Sequence, residues 1–464
     1  MLFGEVFDRF LKDSPLSVMS RATLEYALSA SALDELFDRT AERGYTRELL
    51  FPTTVDLMSR VVGGKALHVQ AAYQHLRERI PVALKCVYDK LQNIETGVSA
   101  GLVCHVSNRC QALIAELDGG CKALLPGYRV RILDGNHLAA TQRRLRVTRG
   151  RRAGPLPGQS LVVLDPALML ITDIVPCEDA HTRERALTHH TLPLVRRRDV
   201  WVEDRNFCTV EFLREVVSRD AYLVTRRHGN LRVEPETEYG DEVETDRGSV
   251  SERRVWVCRG GERVLQVRQV RVRLKRPTED GDAEVEILTN LPAKVSVVKV
   301  AEVYLKRWKI EGAFHELTVA LNCEVNTLGY PKAALFGFCV AVSAYNVLAV
   351  LKAALRAAHG EKKVQEEVSG YYMALEWSMV YAGMMIALPA SRWEAFGQMS
   401  GQQMAGYLRE WAVKVNLKKI KKAPVRKPTK KRAQRIKDDS PHVSTARLLD
   451  EARKVCRTKT NNNQ

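Results

Sequence analysis

Three side chains in the segment Tyr304-Leu-Lys-Arg307-Trp-Lys-Ile-Glu311 have types and spacing that could bind a metal ion and a phosphate. On a helix, at about 100° per residue, Tyr304, Arg307 and Glu311 share one narrow stripe. The carboxylate can hold a divalent cation, and the guanidinium and phenol can contact a phosphate. Such a helix face suits a nuclease. The alternative is an exposed face with an ion pair between Arg307 and Glu311.

Two aspartates could supply the further ligands that this chemistry needs, since many in-line phosphoryl transfers use two metal ions. Asp134 stands at the end of the predicted strand 128–133 and precedes Gly135, and Asp204 stands at the end of another predicted strand, 200–202. We expect both carboxylates at the carboxyl ends of strands, where ligands bind in open α/β sheets. For each aspartate taken alone, a turn or cap carboxylate is the alternative.

Three other acidic residues compete for these places. Asp165 precedes Pro166, which is a turn signature, and Asp173 lies in the middle of a predicted strand. Glu203 should face the opposite side of the sheet from Asp204, because successive side chains of a strand alternate. These three are weaker candidates for ligands.

The elements that must position the acidic residues change in character along the chain. Helical periodicity and cap signals come first, short strands follow, and a strong helical signal returns from 297 to 355. Between them, Val270, Val272 and Leu274 alternate with cationic residues, which predicts a ribbon with one apolar and one cationic face. The predicted units are an all-helical N-terminal domain (1–95), an α/β core in two parts (96–225 and 291–360), an inserted mostly-β subdomain (226–290) and a helical C-terminal region (361–464).

The charge balance indicates a polyanionic partner. The chain has 72 Lys and Arg against 55 Asp and Glu, a net charge of +17 and a pI near 9.4. Twelve cations and no acid lie in 414–437, which predicts an extended basic arm. The alternative for this arm is a solvated tail.

Cysteine usage and hydropathy narrow the class of protein further. The ten cysteines are scattered singly, so they indicate neither a disulfide framework nor a zinc finger. The N-terminus lacks an apolar core of signal-peptide length, and polar residues interrupt the apolar run 335–351, which favours a buried helix over a membrane span. We therefore expect no membrane association, a cytoplasmic protein and a nucleic acid as the polyanion.

Taken in order, these features resemble the DDE transposases of bacterial insertion sequences, specifically family four with its YREK signature. The resemblance runs from about residue 14 to 448. The motifs that carry it are Leu133-Asp134-Gly135-Asn136, Asp204-Arg205-Asn206-Phe207, Leu288-Thr289-Asn290-Leu291-Pro292 and Tyr304-x2-Arg307-x3-Glu311.

The resemblance implies an RNase H-like catalytic core with the β-rich insertion before its last carboxylate, and a DNA-binding role for the N-terminal domain. It implies Asp134, Asp204 and Glu311 as ligands of two Mg²⁺ or Mn²⁺ ions, with Tyr304 and Arg307 on the DNA backbone. The implied reaction is hydrolysis at the ends of the element, followed by transfer of the 3′-hydroxyl to target DNA. The implied partners are double-stranded DNA and a second copy of the chain in a synaptic complex, in the bacterial nucleoid.

The sequence departs from the signature at one position. The final Lys of the signature falls on Thr318, which brings a hydrogen-bond donor but no charge. We expect Lys306, Lys309 or Lys332 to supply the missing phosphate contact. Trp256, in the inserted ribbon, could stack on a displaced base, and a cross-strand or core tryptophan is the alternative.

Two other classes of function stay open at this point. An RNase H-like nuclease would use the same carboxylates without strand transfer. A non-catalytic DNA-binding protein derived from a transposase would keep the basic arm and the fold. The intact Asp134, Asp204 and Glu311 favour the enzyme.

Overall fold

The N-terminal part of the chain is helical. The computed structural model describes residues 4–43, 48–142, 145–277, 281–423 and 442–461. Proline in the first turn suits the starts of the second and fourth helices, because the first amides of a helix have no intrahelical partner. The helices are α1 (Glu5–Asp13), α2 (Pro15–Ala27), α3 (Ala30–Thr40), α4 (Phe51–Val62), α5 (Val69–His75), α6 (Leu84–Asn93) and α7 (Thr96–Leu117).

The middle of the chain forms strands, with two short helices between them. The strands are β1 (Arg129–His137), β2 (Pro155–Leu156), β3 (Gln159–Asp165), β4 (Leu170–Cys177), β5 (Asp199–Glu203), β6 (Tyr222–Arg226), β7 (Val233–Pro235), β8 (Val243–Thr245), β9 (Gly248–Arg259), β10 (Glu262–Leu274) and β11 (Glu284–Thr289). The helices are α8 (Glu184–Leu187) and α9 (Val210–Ser218).

One mixed sheet holds ten of these strands, in the order β4-β3-β1-β5-β6-β11-β10-β9-β7, with β8 paired to β9. The first three strands are antiparallel neighbours, and β1, β5 and β6 run parallel to one another. Parallel strands place their carboxyl ends at the same edge of a sheet, so this arrangement creates one rim that several strands reach together.

The predicted mostly-β insertion extends the same sheet instead of forming a sheet of its own. Its last strand, β11, pairs antiparallel with β6, so that Thr289 is opposite Val224. On the face of β10 that the alternation predicts as cationic, Arg271 and Arg273 pair with Glu284 at 3.2 Å and 3.4 Å. The ribbon face that the alternation predicts as cationic is therefore covered by ion pairs.

The C-terminal part is mainly helical. The strong helical signal of 297–355 forms three helices, since a turn at 306–308 ends the first and Pro331 opens the third. The helices are α10 (Val297–Leu305), α11 (Lys309–Ala320), α12 (Pro331–His359), α13 (Glu361–Glu367), α14 (Gly370–Ala387), α15 (Glu394–Gly397), α16 (Gly401–Val413) and α17 (Thr445–Asn461); the strand β12 (Val443–Ser444) pairs with β2. Residues 424–437 of the predicted basic arm lie outside the described residues.

Helix α12 is the centre of the helical body. In the described part of the chain it alone is long and apolar enough to cross a membrane, and its most apolar window is entirely buried, in contact with α2, α4, α7 and α16. The polar residue Asn346 within it is paired: its side chain accepts from the Ile171 amide at 2.9 Å and donates to the Ile171 carbonyl at 2.8 Å. The amide thus completes the hydrogen bonds of β4, which explains a buried Asn in an apolar run.

The N-terminal helices share their core with the C-terminal helices. Phe51 of α4 contacts Phe37 of α3 and Phe336 of α12, with ring centroids 5.1 Å and 6.0 Å apart. One hydrophobic cluster runs from α1 through α12 to α16 and one face of the sheet. Among the described residues, the segments before and after the predicted boundary at residue 95 therefore share one hydrophobic core.

Glu203, whose side chain strand alternation predicts on the opposite face of the sheet from Asp204, is fully buried. Neither carboxylate oxygen has a hydrogen-bond partner among the described residues, and burial raises the pKa of this carboxyl well above its usual value. The native state then binds the proton more tightly than the unfolded state, so this group lowers stability as pH rises above its unfolded pKa.

The free energy of unfolding of the wild type should fall between pH 5 and pH 9. We expect Glu203→Gln to make this fall smaller by about 1–3 kcal/mol. The measurement is the melting temperature of both proteins across that range. The matched control is Glu238→Gln, an exposed residue of the insertion. Equal pH profiles for the wild type and the Glu203 variant would contradict the assignment of a buried, unpaired carboxyl.

Candidate active site

The two aspartates predicted at strand ends lie side by side at one rim of the sheet. In the parallel ladder of β1 and β5, Leu133 is opposite Glu203 at the last pair. The next residues are Asp134, in β1, and Asp204, directly after β5, so the two aspartates follow the last pair of this ladder side by side. Asp134 does not end its strand, since β1 continues against β3 to His137.

The third carboxylate stands on a helix that begins after a tight turn. Tyr304 lies in α10, Arg307 in the turn and Glu311 in the first turn of α11. In the turn the backbone bonds are of the i,i+3 type: Arg307 N donates to the Tyr304 carbonyl at 2.9 Å, and Ile310 N donates to the Arg307 carbonyl at 3.1 Å. The prediction of a single helical stripe is therefore wrong in geometry, although the turn keeps Arg307 and Glu311 in contact.

Arg307 joins two of the carboxylates. Its guanidinium donates to Asp134 Oδ2 at 2.8 Å and to Glu311 Oε1 at 3.2 Å. The Arg307 side chain is only 11% exposed, and its Nε has no hydrogen-bond partner in the described part of the chain. A buried guanidinium with two carboxylates is held mainly by charge pairing, so removing it would leave Asp134 without a counter-ion.

The environment of Asp134 makes its charged form less favourable than that of an ordinary carboxyl. Burial raises the pKa of this carboxyl to about 6, even though the Arg307 guanidinium and the Gly135 amide both lower it. The nearby carboxylates of Asp204 and Glu184 add to the increase. Perturbed carboxyls in a cleft are typical of functional sites, because a bound cation can supply the missing charge.

A cleft of about 730 Å³ opens at this rim. Tyr304 and Trp308 line one side, and the end of the β9–β10 ribbon, including Arg247 and Lys275, lines the other. Burial raises the pKa of the Tyr304 phenol to about 12, with the carboxylate of Asp204 adding to the effect. The charged lining comprises six cations and three acids: Arg205, Arg226, Arg247, Lys275, Arg276, Arg307, Asp204, Asp246 and Glu311. The cation excess suits a phosphate backbone.

The predicted DNA-binding side chains of this segment differ in their exposure to solvent. Lys306 is exposed beside the turn, whereas Lys309 donates to the Pro166 carbonyl at 3.4 Å and is half-buried. Thr318 lies on the exposed face of α11, and its hydroxyl donates to the Phe314 carbonyl at 2.9 Å. Of the lysines on this segment, Lys306 is thus the one whose ammonium is open to solvent.

Trp256 does not reach the cleft. It lies eight residues along β9 from Gly248, about 26 Å from the ribbon end at the cleft, and its indole donates to Glu236 Oε1 at 3.3 Å. Trp308, in contrast, is 55% exposed and lines the cleft. Sequence reasoning missed this residue, although its place between Arg307 and Lys309 in the signature segment was a usable signal.

The carboxylates fit a hard divalent cation by chemistry. Asp134 and Asp204 are adjacent oxygen donors, and the raised pKa of Asp134 shows a carboxyl whose charge is poorly solvated. Among the described residues, no three His, Cys, Asp or Glu side chains converge closely enough to hold an ion, and the Arg307 guanidinium lies between Asp134 and Glu311. A metal ion at Asp134 would compete with this guanidinium.

Together the fold and the rim define an α/β protein with acidic residues at the carboxyl ends of parallel strands, inside a basic cleft. Residues 125–347 match the family model described as the transposase DDE domain. This segment includes all three candidate carboxylates, Tyr304, Arg307 and the whole inserted ribbon. This segment, just under half of the chain, is thus similar to the transposase DDE domain.

Among solved structures, the chain is similar to the piggyBac transposase in a cryo-EM structure of its synaptic complex with hairpin DNA. The match covers 93% of this chain and 89% of that chain, with 12% sequence identity and a TM-score of 0.40. No curated protein matches the sequence.

Proposed function

We propose that this protein is a DNA transposase that binds the terminal inverted repeats of an insertion sequence, cuts the ends and joins the freed 3′-hydroxyl to target DNA. The observation that carries the proposal is the pair Asp134, in β1, and Asp204, directly after the parallel strand β5, with Arg307 linking Asp134 to Glu311 beside a basic cleft. The transposase DDE domain match supports it. The strand order β4-β3-β1-β5-β6 supports an RNase H-like core.

In this proposal Asp134, Asp204 and Glu311 hold two Mg²⁺ or Mn²⁺ ions. Bound ions of this kind supply a nucleophilic water at neutral pH and stabilise the leaving oxygen. The chain itself contributes the carboxylates, which are held in place at the edge of the sheet next to its core. Because the strands fix Asp134 and Asp204, little reordering of these two side chains is needed when ions bind.

Arg307 has two roles in this proposal. In the DNA-free protein its guanidinium neutralises Asp134 and Glu311. If the carboxylates held cations instead, the guanidinium would be free to contact a phosphate of the DNA backbone, for which its planar fork is well suited. Tyr304 lies beside it in the cleft and offers a phenolic hydroxyl to the same backbone.

The exposed indole of Trp308 is placed to stack on a base at the end of the element. Stacking on an aromatic side chain stabilises an unpaired base by about 1–3 kcal/mol. Trp308 therefore replaces Trp256 in the proposal, since Trp256 lies at the other end of the ribbon. Cutting two ends together also requires two copies of the chain on the DNA, and we propose a homodimer in the bacterial cytoplasm.

The proposal is tested with the full chain, a supercoiled donor plasmid that carries the DNA flanking the gene, and a target plasmid. We expect Mg²⁺-dependent cleavage at the ends and covalently joined donor–target products, with neither reaction in EDTA. Cleavage without joining would instead indicate an RNase H-like nuclease. Binding of the ends without cleavage in Mg²⁺ or Mn²⁺ would indicate a DNA-binding protein derived from a transposase.

A further inference from the structure

The connection between β1 and β3 carries a dense cluster of arginines. From 135 to 164 the sequence has no acidic residue, and six arginines fall within the ten positions 143–152. The structure describes residues 145–152 of this segment, which we call the arginine loop. Its four arginines are all exposed: Arg146, Arg149, Arg151 and Arg152. Guanidinium groups at this density suit a polyanion.

Three of these arginines have no acidic partner. In the described part of the chain, no carboxylate forms an ion pair with Arg146, Arg149 or Arg151. By contrast, Arg273 of β10 pairs with Glu284 at 3.4 Å. Charge pairing within the fold therefore does not account for the arginine loop, and a phosphate could bind there without breaking an ion pair.

The backbone of the arginine loop is anchored although its arginines are exposed. Thr148 is buried, and its hydroxyl donates to the Leu145 carbonyl at 2.9 Å. Leu145 in turn packs against Gly329, where an added Cβ would come within 3.0 Å of Leu145 Cγ. Just before the loop, Gln142 N donates to the Asn326 carbonyl at 3.1 Å. The loop is therefore fixed to the connection between α11 and α12.

The strand register gives the position of the loop relative to the carboxylates. β1 continues past Asp134 to His137, which is opposite Gln159 of β3. Three residues of strand span about 10 Å, so the chain leaves the sheet at the same rim, beyond Asp134. In the sheet, β3 and β5 flank β1 on opposite sides, and the cleft is lined by Asp204, after β5, and Arg226 of β6. The connection that carries the loop and the cleft therefore flank Asp134 on opposite sides.

We propose that the arginine loop binds the phosphate backbone of duplex DNA on the side of the cut opposite to the cleft. This inference rests on the proposed function, in which the phosphate to be cut lies at Asp134, Asp204 and Glu311. A duplex that continues from the cleft across these carboxylates reaches the base of the loop after about three base pairs. The DNA at this place is flanking donor DNA before cleavage and target DNA during joining, and the phosphates of both offer the same contact.

The first test measures how tightly the full chain binds a short duplex of random sequence over a range of salt concentrations. We expect the double variant Arg149→Gln/Arg151→Gln to bind about tenfold more weakly. The slope of log K against log salt should fall by about 2, because each phosphate contact contributes about 0.9. Melting temperatures show whether the variant folds like the wild type.

The matched control is Arg197→Gln/Arg219→Gln, which removes the same charge. These two arginines precede β5 and β6, at the opposite edge of the sheet, and each has an acidic partner. Their distance from the rim should keep the affinity within about twofold of the wild type, since salt screens distant charges. An equal loss of affinity in the two double variants would show an effect of net charge alone and would overturn the inference.

The second test locates the contact on DNA. Hydroxyl-radical footprints on uncut end DNA should show that the variant of the arginine loop loses protection of the flanking duplex and keeps protection of the element side. Joining of a precut end to a target plasmid should fall about tenfold in the same variant. Unchanged joining alongside a lost flanking footprint would overturn the target half of the proposal and keep the flanking half.

The outcomes separate this inference from the proposed function. Unchanged affinity and footprints in the variant of the arginine loop, alongside end cleavage by the wild type, would overturn the inference and leave the proposed function standing. Loss of protection on the element side alone would overturn the placement of the loop. Absence of end cleavage by the wild type, with random-duplex binding still weakened in the variant, would contradict the proposed function and retain the arginine loop as a DNA-binding surface.

Discussion

Asp134→Asn, Asp204→Asn and Glu311→Gln are each expected to lower Mg²⁺-dependent cleavage of end DNA on the order of 10³-fold or more. Each amide keeps the shape of the side chain but is a poor ligand for a hard cation. DNA binding should stay equal or become tighter, because the change removes a negative charge close to the phosphates. Cleavage and gel-shift assays on the same preparations separate the two effects.

Glu302→Gln is the matched control for this series. Glu302 is exposed on α10, one turn from the site segment, and pairs with Lys299 at 2.9 Å. Its loss removes a carboxylate of the same region without touching the cleft, so cleavage should stay within about twofold of the wild type. Cleavage within tenfold of the wild type in any of the three site variants would remove that residue from the proposed metal site.

The positions of Asp134 and Asp204 could be predicted from the sequence because local signals specify them. A short apolar run precedes each residue, and the parallel pairing of β1 with β5 ends just before both of them, which brings the two carboxylates to one rim. The identity of the neighbouring strand follows from long-range pairing, which local patterns do not encode. For this reason the alternation at Val270 and Val272 predicted a strand, but it did not predict that this strand, β10, belongs to the same sheet as β6.

The turn at 306–308 could not be predicted for a related reason. The segment contains neither Gly nor Pro, so local propensity favours a continuous helix. In the folded chain Arg307 is bound to Asp134, which is 173 residues away in the sequence. Tertiary pairing of this kind overrides helix propensity, which is only a weak preference for each residue.

The second large effect is expected for Arg307→Ala. The variant should bind end DNA about tenfold more weakly and cleave it on the order of 10²-fold more slowly, since a phosphate contact and the counter-ion of Asp134 are lost together. Arg307→Lys should recover little, because an ammonium is a point charge and cannot bridge Asp134 and Glu311 with two separate donors. The control is Arg259→Ala, which removes a cation paired with Glu211 at the far end of the ribbon.

The pH dependence of cleavage by Arg307→Ala distinguishes two effects of the substitution: the loss of a DNA contact and a direct change in the carboxylates. The guanidinium lowers the pKa of Asp134, which is still about 6 in its presence. Without Arg307 this pKa rises further, so Asp134 loses its proton, and becomes a ligand, only at higher pH. The acid limb of the cleavage profile should therefore move to higher pH in Arg307→Ala and approach the wild-type position as Mg²⁺ is raised. A profile that keeps its midpoint while binding weakens would show that Arg307 acts on the DNA alone.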